Sequence, residues 1–120
     1  MKRFRLAAGQ IRPLAEGRGG CFASDRITVD GLRVGWMYRE EPDRPPDSGW
    51  RFFSGTESAE YVDAPGNFAI FDVNTIANYD PEIIPLLDAP IGSAFERNSE
   101  SGHLVSAVPP RESTKQKGTS

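Results

Sequence analysis

The apolar residues of this chain fall in short alternating runs, closed off by glycine, proline or aspartate before a long helix can form. This patterning constrains the fold more than any other feature. Val34, Trp36 and Tyr38 occupy alternate positions, as do Trp50 and Phe52, with Arg51 facing the other way. Period two marks a strand whose two faces meet different surroundings. Cys21-Phe22-Ala23-Ser24 reads as a short strand, with Ile27-Thr28-Val29 extended beyond it and Asp30-Gly31 as the turn that follows. Residues 68–73 form the most strand-like run and are expected at the centre of a sheet. A final hairpin is expected from residues 94–97 and 103–105 around a polar turn.

Helix signals are few and local. Ser54-Gly55-Thr56-Glu57 has capping-box spacing and predicts a helix over 56–63, with Tyr61 inward and Pro65-Gly66 as its end. Asn74 is placed as the cap of residues 75–79. Asp80-Pro81-Glu82 starts a further helix with Ile83, Ile84 and Leu87 as its apolar stripe. The sum is an α+β fold: one domain with a mainly antiparallel sheet of about five or six short strands and two or three short helices. Residues 1–18 read as a partly ordered N-terminal arm and 19–108 as the domain proper. Residues 109–120 hold no large apolar side chain and read as a disordered tail.

Charge is distributed unevenly along the 120 residues. The three lysines, Lys2, Lys115 and Lys117, sit near the ends. Between Phe52 and Glu96 there is no Lys or Arg, while Glu57, Glu60, Asp63, Asp72, Asp80, Glu82, Asp88 and Glu96 fall in that stretch. Such a stretch offers no cations to phosphates, which argues against nucleic-acid binding and suits a basic protein partner. No run approaches the ~20 apolar residues of a membrane span, and the N-terminus lacks the apolar core of a signal peptide. With Cys21 the single cysteine, no intrachain disulfide can form, and a reducing cytoplasm is the expected compartment.

Catalytic and metal chemistry find little support. Cys21 and the single histidine, His103, would make a nucleophile and base, but Cys21 lies in an apolar strand start where an inert thiol is the usual case. One His and one Cys do not make a zinc site, and Glu40, Glu41, Asp43 and Asp47 lack calcium-loop spacing. Glu57 and Glu60 share a predicted helix side, yet Glu57 already serves as a cap. Asp72 and Asp80 read as helix-start residues. The chain is therefore read as a non-enzyme with no cofactor. Trp50 reads first as a core residue and second as a half-exposed anchor for a partner, and Trp36 and Arg51 divide in the same way. Arg51, the last cation before the acidic stretch, is expected to pair with Glu57 or Glu60.

Three segments together resemble a known bacterial family: Gly19-Gly20-Cys21-Phe22-Ala23-Ser24-Asp25, then Asp47-Ser48-Gly49-Trp50-Arg51-Phe52-Phe53-Ser54-Gly55-Thr56-Glu57, then Asp72-Val73-Asn74-Thr75-Ile76-Ala77-Asn78-Tyr79-Asp80-Pro81. In order and spacing they are similar to immunity proteins of polymorphic-toxin systems, a family first described as a domain of unknown function. The resemblance implies an α+β fold and neutralisation of a cognate toxin by binding it. It implies no catalytic residues. Charge, rather than the resemblance, suggests the contact surface: Glu57, Glu60, Asp63 and the 40–47 loop with Glu40, Glu41, Asp43 and Asp47, rimming a centre that includes Trp50 and Arg51. The competing reading is a small-molecule-binding or regulatory domain with a pocket behind Trp50 and Tyr61.

Overall fold

Six strands join in one sheet in a computed structural model that describes residues 2–110. They are β1 (Gly20–Ser24), β2 (Trp36–Arg39), β3 (Asp47–Phe53), β4 (Phe68–Asp72), β5 (Ala94–Arg97) and β6 (Leu104–Ala107). Their spatial order is β4-β1-β3-β2-β5-β6. Three short helices, α1 (Asp25–Thr28), α2 (Ala59–Asp63) and α3 (Val73–Tyr79), and a 3₁₀ turn at Pro81–Leu86 complete an α+β domain. The predicted tail lies, from residue 111 on, outside the described residues.

The sheet is mixed. β1 runs parallel to β3, while the other neighbouring pairs are antiparallel. Side-chain alternation is the same in either direction, so period two carries no signal for this. Nor does it fix position in the sheet: β4, expected at the centre, is an edge strand paired only with β1. Its apolar character comes from two different neighbourhoods. Phe71 meets Phe4 of the N-terminal arm edge-on at 5.5 Å, and Phe68 on the opposite face meets Phe53 and Tyr61.

Local capping chemistry explains the other departures. Residues 27–28 are helical rather than extended, because the Ser24 hydroxyl accepts the Arg26 N–H at 3.1 Å and starts α1. Gly31, at φ +81°, closes that turn by donating its N–H to the Ile27 carbonyl. The helix predicted from 56 begins at Ala59, where the Ser58 hydroxyl accepts the Tyr61 N–H. Asp72, not Asn74, caps α3. Asn74 is buried, and its Oδ1 accepts the N–H groups of Leu14 and Ala15, tying the N-terminal arm to α3. Asp80 caps the 3₁₀ turn as expected, accepting the Glu82 N–H.

The core lies on one face of the sheet. Cys21, Ala23, Met37, Trp50 and Phe52 project from β1, β2 and β3 onto Ile27 of α1, Val73, Ile76 and Ala77 of α3, and Ile83 and Leu87 of the 3₁₀ turn and its end. Each large side chain buried here contributes about 1.5–3 kcal/mol. The expected Val34–Trp36–Tyr38 face is broken at Gly35. A Cβ there would stand 1.9 Å from the Ser54 carbonyl oxygen, so only glycine lets the strands approach. Val34 is buried before that break, and within β2 it is Met37 that enters the core. Trp36 and Tyr38 consequently face the other side. Among the described residues no helix is long and apolar enough to cross a membrane.

Candidate functional site

Among the described residues, most of the face opposite the core carries no packed helix, and its side chains range from buried to exposed. Strand register lays its side chains out in two rows. One runs through Phe53 of β3, Trp36 of β2, Glu96 of β5 and Val105 of β6, with Phe68 at the β4 end. The other runs through Ile70, Phe22, Arg51, Tyr38, Ala94 and Ala107. Tyr38 stacks on Phe53 at 5.9 Å, Trp36 leans on Tyr38 at 6.1 Å, and Phe53 meets Phe68 edge-on. Ile70 is 71% exposed and Phe22 39%. Of the helices, α2 overlaps one end, where Tyr61 packs on Phe68. Trp36, Tyr38, Phe53 and Phe68 are half-buried against one another, and the face opens fully to solvent at Ile70 and Phe22.

Arg51 is the pillar of this face. It is only 6% exposed, because its guanidinium lies 4.8 Å from the Phe22 ring and donates to Glu40 at 2.6 Å and to both oxygens of Asp47 at 2.9 Å. The expected pairing with Glu57 or Glu60 is therefore replaced by pairing with the 40–47 loop, which folds back over β3. The Arg51 guanidinium beside it holds the Asp47 carboxyl well below the usual aspartate range. Burial works against the Arg51 charge, but Asp47 and Glu40 outweigh it and raise the guanidinium pKa further.

Glu57 stands at the other end. Its Oε2 accepts the Ser54 N–H and hydroxyl, and its Oε1 accepts the Gly55 N–H. The reciprocal geometry read from the sequence forms here, in a loop and not at a helix start. Burial would raise this carboxyl, but hydrogen bonds from the Ser24 hydroxyl and from Ser54 prevail and hold it below the ordinary glutamate value. Two hollows result. An open groove of about 650 Å³ is lined by Trp36, Tyr38, Phe53, Val62, Glu57 and Glu96. A smaller one of about 350 Å³ lies between Phe22, Ile70, Pro46, Asp43 and Asp47.

The structure thus separates the residues singled out in the sequence. Trp50 is 1% exposed and sits in the core, with its indole N–H donating to the Leu87 carbonyl at 3.3 Å, its ring stacked on Phe52 and Arg39 above it. It offers no surface to a partner, which corrects its place at the centre of the contact surface. Arg51, Glu40, Asp43 and Asp47 gather at the Phe22 end, with Glu41 exposed in the same loop. Glu57 lines the groove, and Glu60 and Asp63 are exposed on α2. The aromatic centre is Trp36, Tyr38 and Phe53; of these the sequence reading weighed Trp36 as an anchor and passed over Tyr38 and Phe53. The signal was available in parity: Arg51 marks the side of β3 away from the core, and Tyr38 is its cross-strand partner.

Cys21 and His103 do not meet, since β3, β2 and β5 lie between their strands. The thiol is 2% exposed and burial pushes it far up, while His103 Nδ1 lies 3.3 Å from Glu82. Among the described residues no group of three or more His, Cys, Asp or Glu side chains is placed to hold a metal ion.

One helix-packed sheet face and one half-buried aromatic face edged with carboxylates characterise this small α+β domain. The immunity protein Imm33 domain matches residues 21–108, and the chain belongs to that family. Membership places it among immunity proteins in general and fits a non-catalytic role. No curated protein and no solved structure matches the chain.

Proposed function

We propose that this chain neutralises a cognate toxin by seating it on the sheet face opposite the core, so that the bound immunity protein blocks the toxin's active site. The observation that carries this reading is the apolar strip that runs from exposed Ile70 and Phe22 to half-buried Tyr38, Phe53 and Trp36, together with membership of an immunity family. Aromatic centres with polar rims are the anatomy of tight interfaces, and burying such a strip supplies affinity. The carboxylates supply approach and register. Glu40, Glu41 and Asp43 lie toward one end, and Glu57, Glu60, Asp63 and Glu96 toward the other. A basic toxin would be steered onto this face, and if its active site binds phosphates these acids stand in for them. The protein is read as cytoplasmic, without a nucleic-acid or membrane partner.

The test is binding of the full chain to the inactive toxin domain encoded by the adjacent gene, at two salt concentrations. Binding tighter than micromolar is expected, with association slowed at high salt and inhibition of toxin activity at a one-to-one ratio. Ile70→Asp and Phe22→Asp should each weaken it strongly. Absence of binding at micromolar concentration, or binding indifferent to both variants, would remove this reading.

A further inference from the structure

We infer that the groove at the Trp36 end of this face takes a lysine or arginine side chain of the toxin, as an anchor contact of the complex. This rests on the proposed toxin-binding role and specifies its chemistry.

Three aromatic rings line the groove. Tyr38 and Phe53 lie nearly parallel, at 13°, and Trp36 tilts against Tyr38. Aromatic faces attract cations, and tryptophan does so most strongly. Two carboxylates flank these rings. Glu57 is fixed by donors from Ser54 and Gly55, which set its direction and favour its charged form. Glu96 is exposed on β5 directly across from Trp36, and no hydrogen bond or ion pair engages it among the described residues.

Among the described residues the one cation in the lining, Arg97, is already committed. Arg97 donates to Asp80, Glu82 and the carbonyls of Val34 and Gly102, so its charge is matched by two carboxylates behind the groove. The described lining therefore keeps a net negative character. An anionic occupant would meet Glu57 and Glu96. An apolar occupant would desolvate Glu96 with no partner, a cost that a cation converts into an ion pair. The smaller hollow, between Phe22, Ile70 and Pro46, is more apolar, and Arg51 is paired with Asp47 and Glu40 beside it. It suits an aliphatic side chain, so the two ends of the face make different demands on the partner.

The experiment measures affinity of the full chain for the inactive adjacent-gene toxin domain, with each variant's urea midpoint checked first. Glu96→Gln and Trp36→Ala are each expected to weaken binding about tenfold, and Trp36→Phe to retain most of it. The Glu96→Gln loss should shrink at high salt. An alanine scan of the toxin's lysines and arginines should find one whose loss costs little further once Glu96 is Gln, the signature of a coupled pair. Tight wild-type binding with Glu96→Gln and Trp36→Ala both within about twofold, or with no toxin cation coupled to Glu96, would overturn the inference while leaving the toxin-binding role in place. Failure of the wild-type chain to bind would sink both.

Discussion

Replacing Arg97 by alanine is the perturbation whose magnitude can be worked most fully from the structure. Arg97 leaves β5 and gathers three parts of the chain. Its Nε and Nη2 donate to the Val34 carbonyl at 3.0 and 2.8 Å, Nη1 donates to Glu82 and the Gly102 carbonyl at 2.7 Å, and Nη2 meets Asp80 at 2.5 Å. The Asp80 side chain is only 4% exposed, so its carboxylate is the expensive partner to strand. After the substitution Asp80 keeps the Val34 and Glu82 N–H groups but loses its counter-charge. Removing one member of a buried pair costs about 3–5 kcal/mol. That is a large share of the roughly 5–15 kcal/mol that stabilises a domain. At a urea m-value of about 1.5 kcal/mol per molar, the midpoint should fall by about 2 M or more. The assay is urea unfolding followed by the fluorescence of Trp36 and Trp50. Asp80→Asn cannot restore the fold, because both Asp80 oxygens accept a backbone N–H and an amide offers one acceptor only. A midpoint shift below about 0.5 M for Arg97→Ala would refute the reasoning.

Three more outcomes follow from the same geometry. Arg97 holds the Glu82 carboxyl down to about 2, and Arg51 holds Asp47 below its usual range. Both are depressed in the fold, so their contribution is complete above about pH 5 and is lost as pH falls from there. The urea midpoint should be flat from neutrality to that point and then decline. Glu82 accounts for about 1–2 kcal/mol after solvent screening, and Glu82→Gln should flatten this limb. A midpoint unchanged down to about pH 3 would contradict this. The two tryptophans should behave oppositely: Trp50→Ala costs about 3–5 kcal/mol, whereas Trp36→Ala on the opposite face costs less than about 1.5. Equal costs in urea unfolding would mean that the two faces are misassigned. Cys21 should resist a thiol reagent in the native chain and label fully in urea, since it is buried with its thiol pKa raised. Rapid native labelling would show that β1 opens readily.

Much of the framework was readable because the signals are local. The strand at Trp50-Arg51-Phe52-Phe53, the hairpin after Ala94, the Asp80 cap and the Glu57–Ser54 reciprocity each depend on neighbours a few residues apart. The misread elements are those where two local signals compete. Ser24 and Asp25 can end a strand or cap a helix, and the burial of Ile27 decides for the helix. Asn74 and Asp72 can both cap α3, and the arm at Leu14 and Ala15 claims Asn74.

The candidate site was half legible for the same reason. Acidic residues can be counted along a sequence, so Glu40, Asp47 and Glu57 were found. Which side of the sheet an aromatic occupies depends on a glycine that breaks parity and on which face the helices cover.

By itself, the order of residues determined an α+β domain, short paired strands and a cation-free stretch from Phe52 to Glu96. Periodicity and capping act within a few residues, and charge is additive along the chain. Only the tertiary structure set β1 parallel to β3, moved β4 to the edge, sank Trp50 in the core and put half-buried Trp36, Tyr38 and Phe53 on the opposite face. Those outcomes are decided by which distant segment wins the space against each face, and that competition is settled by packing.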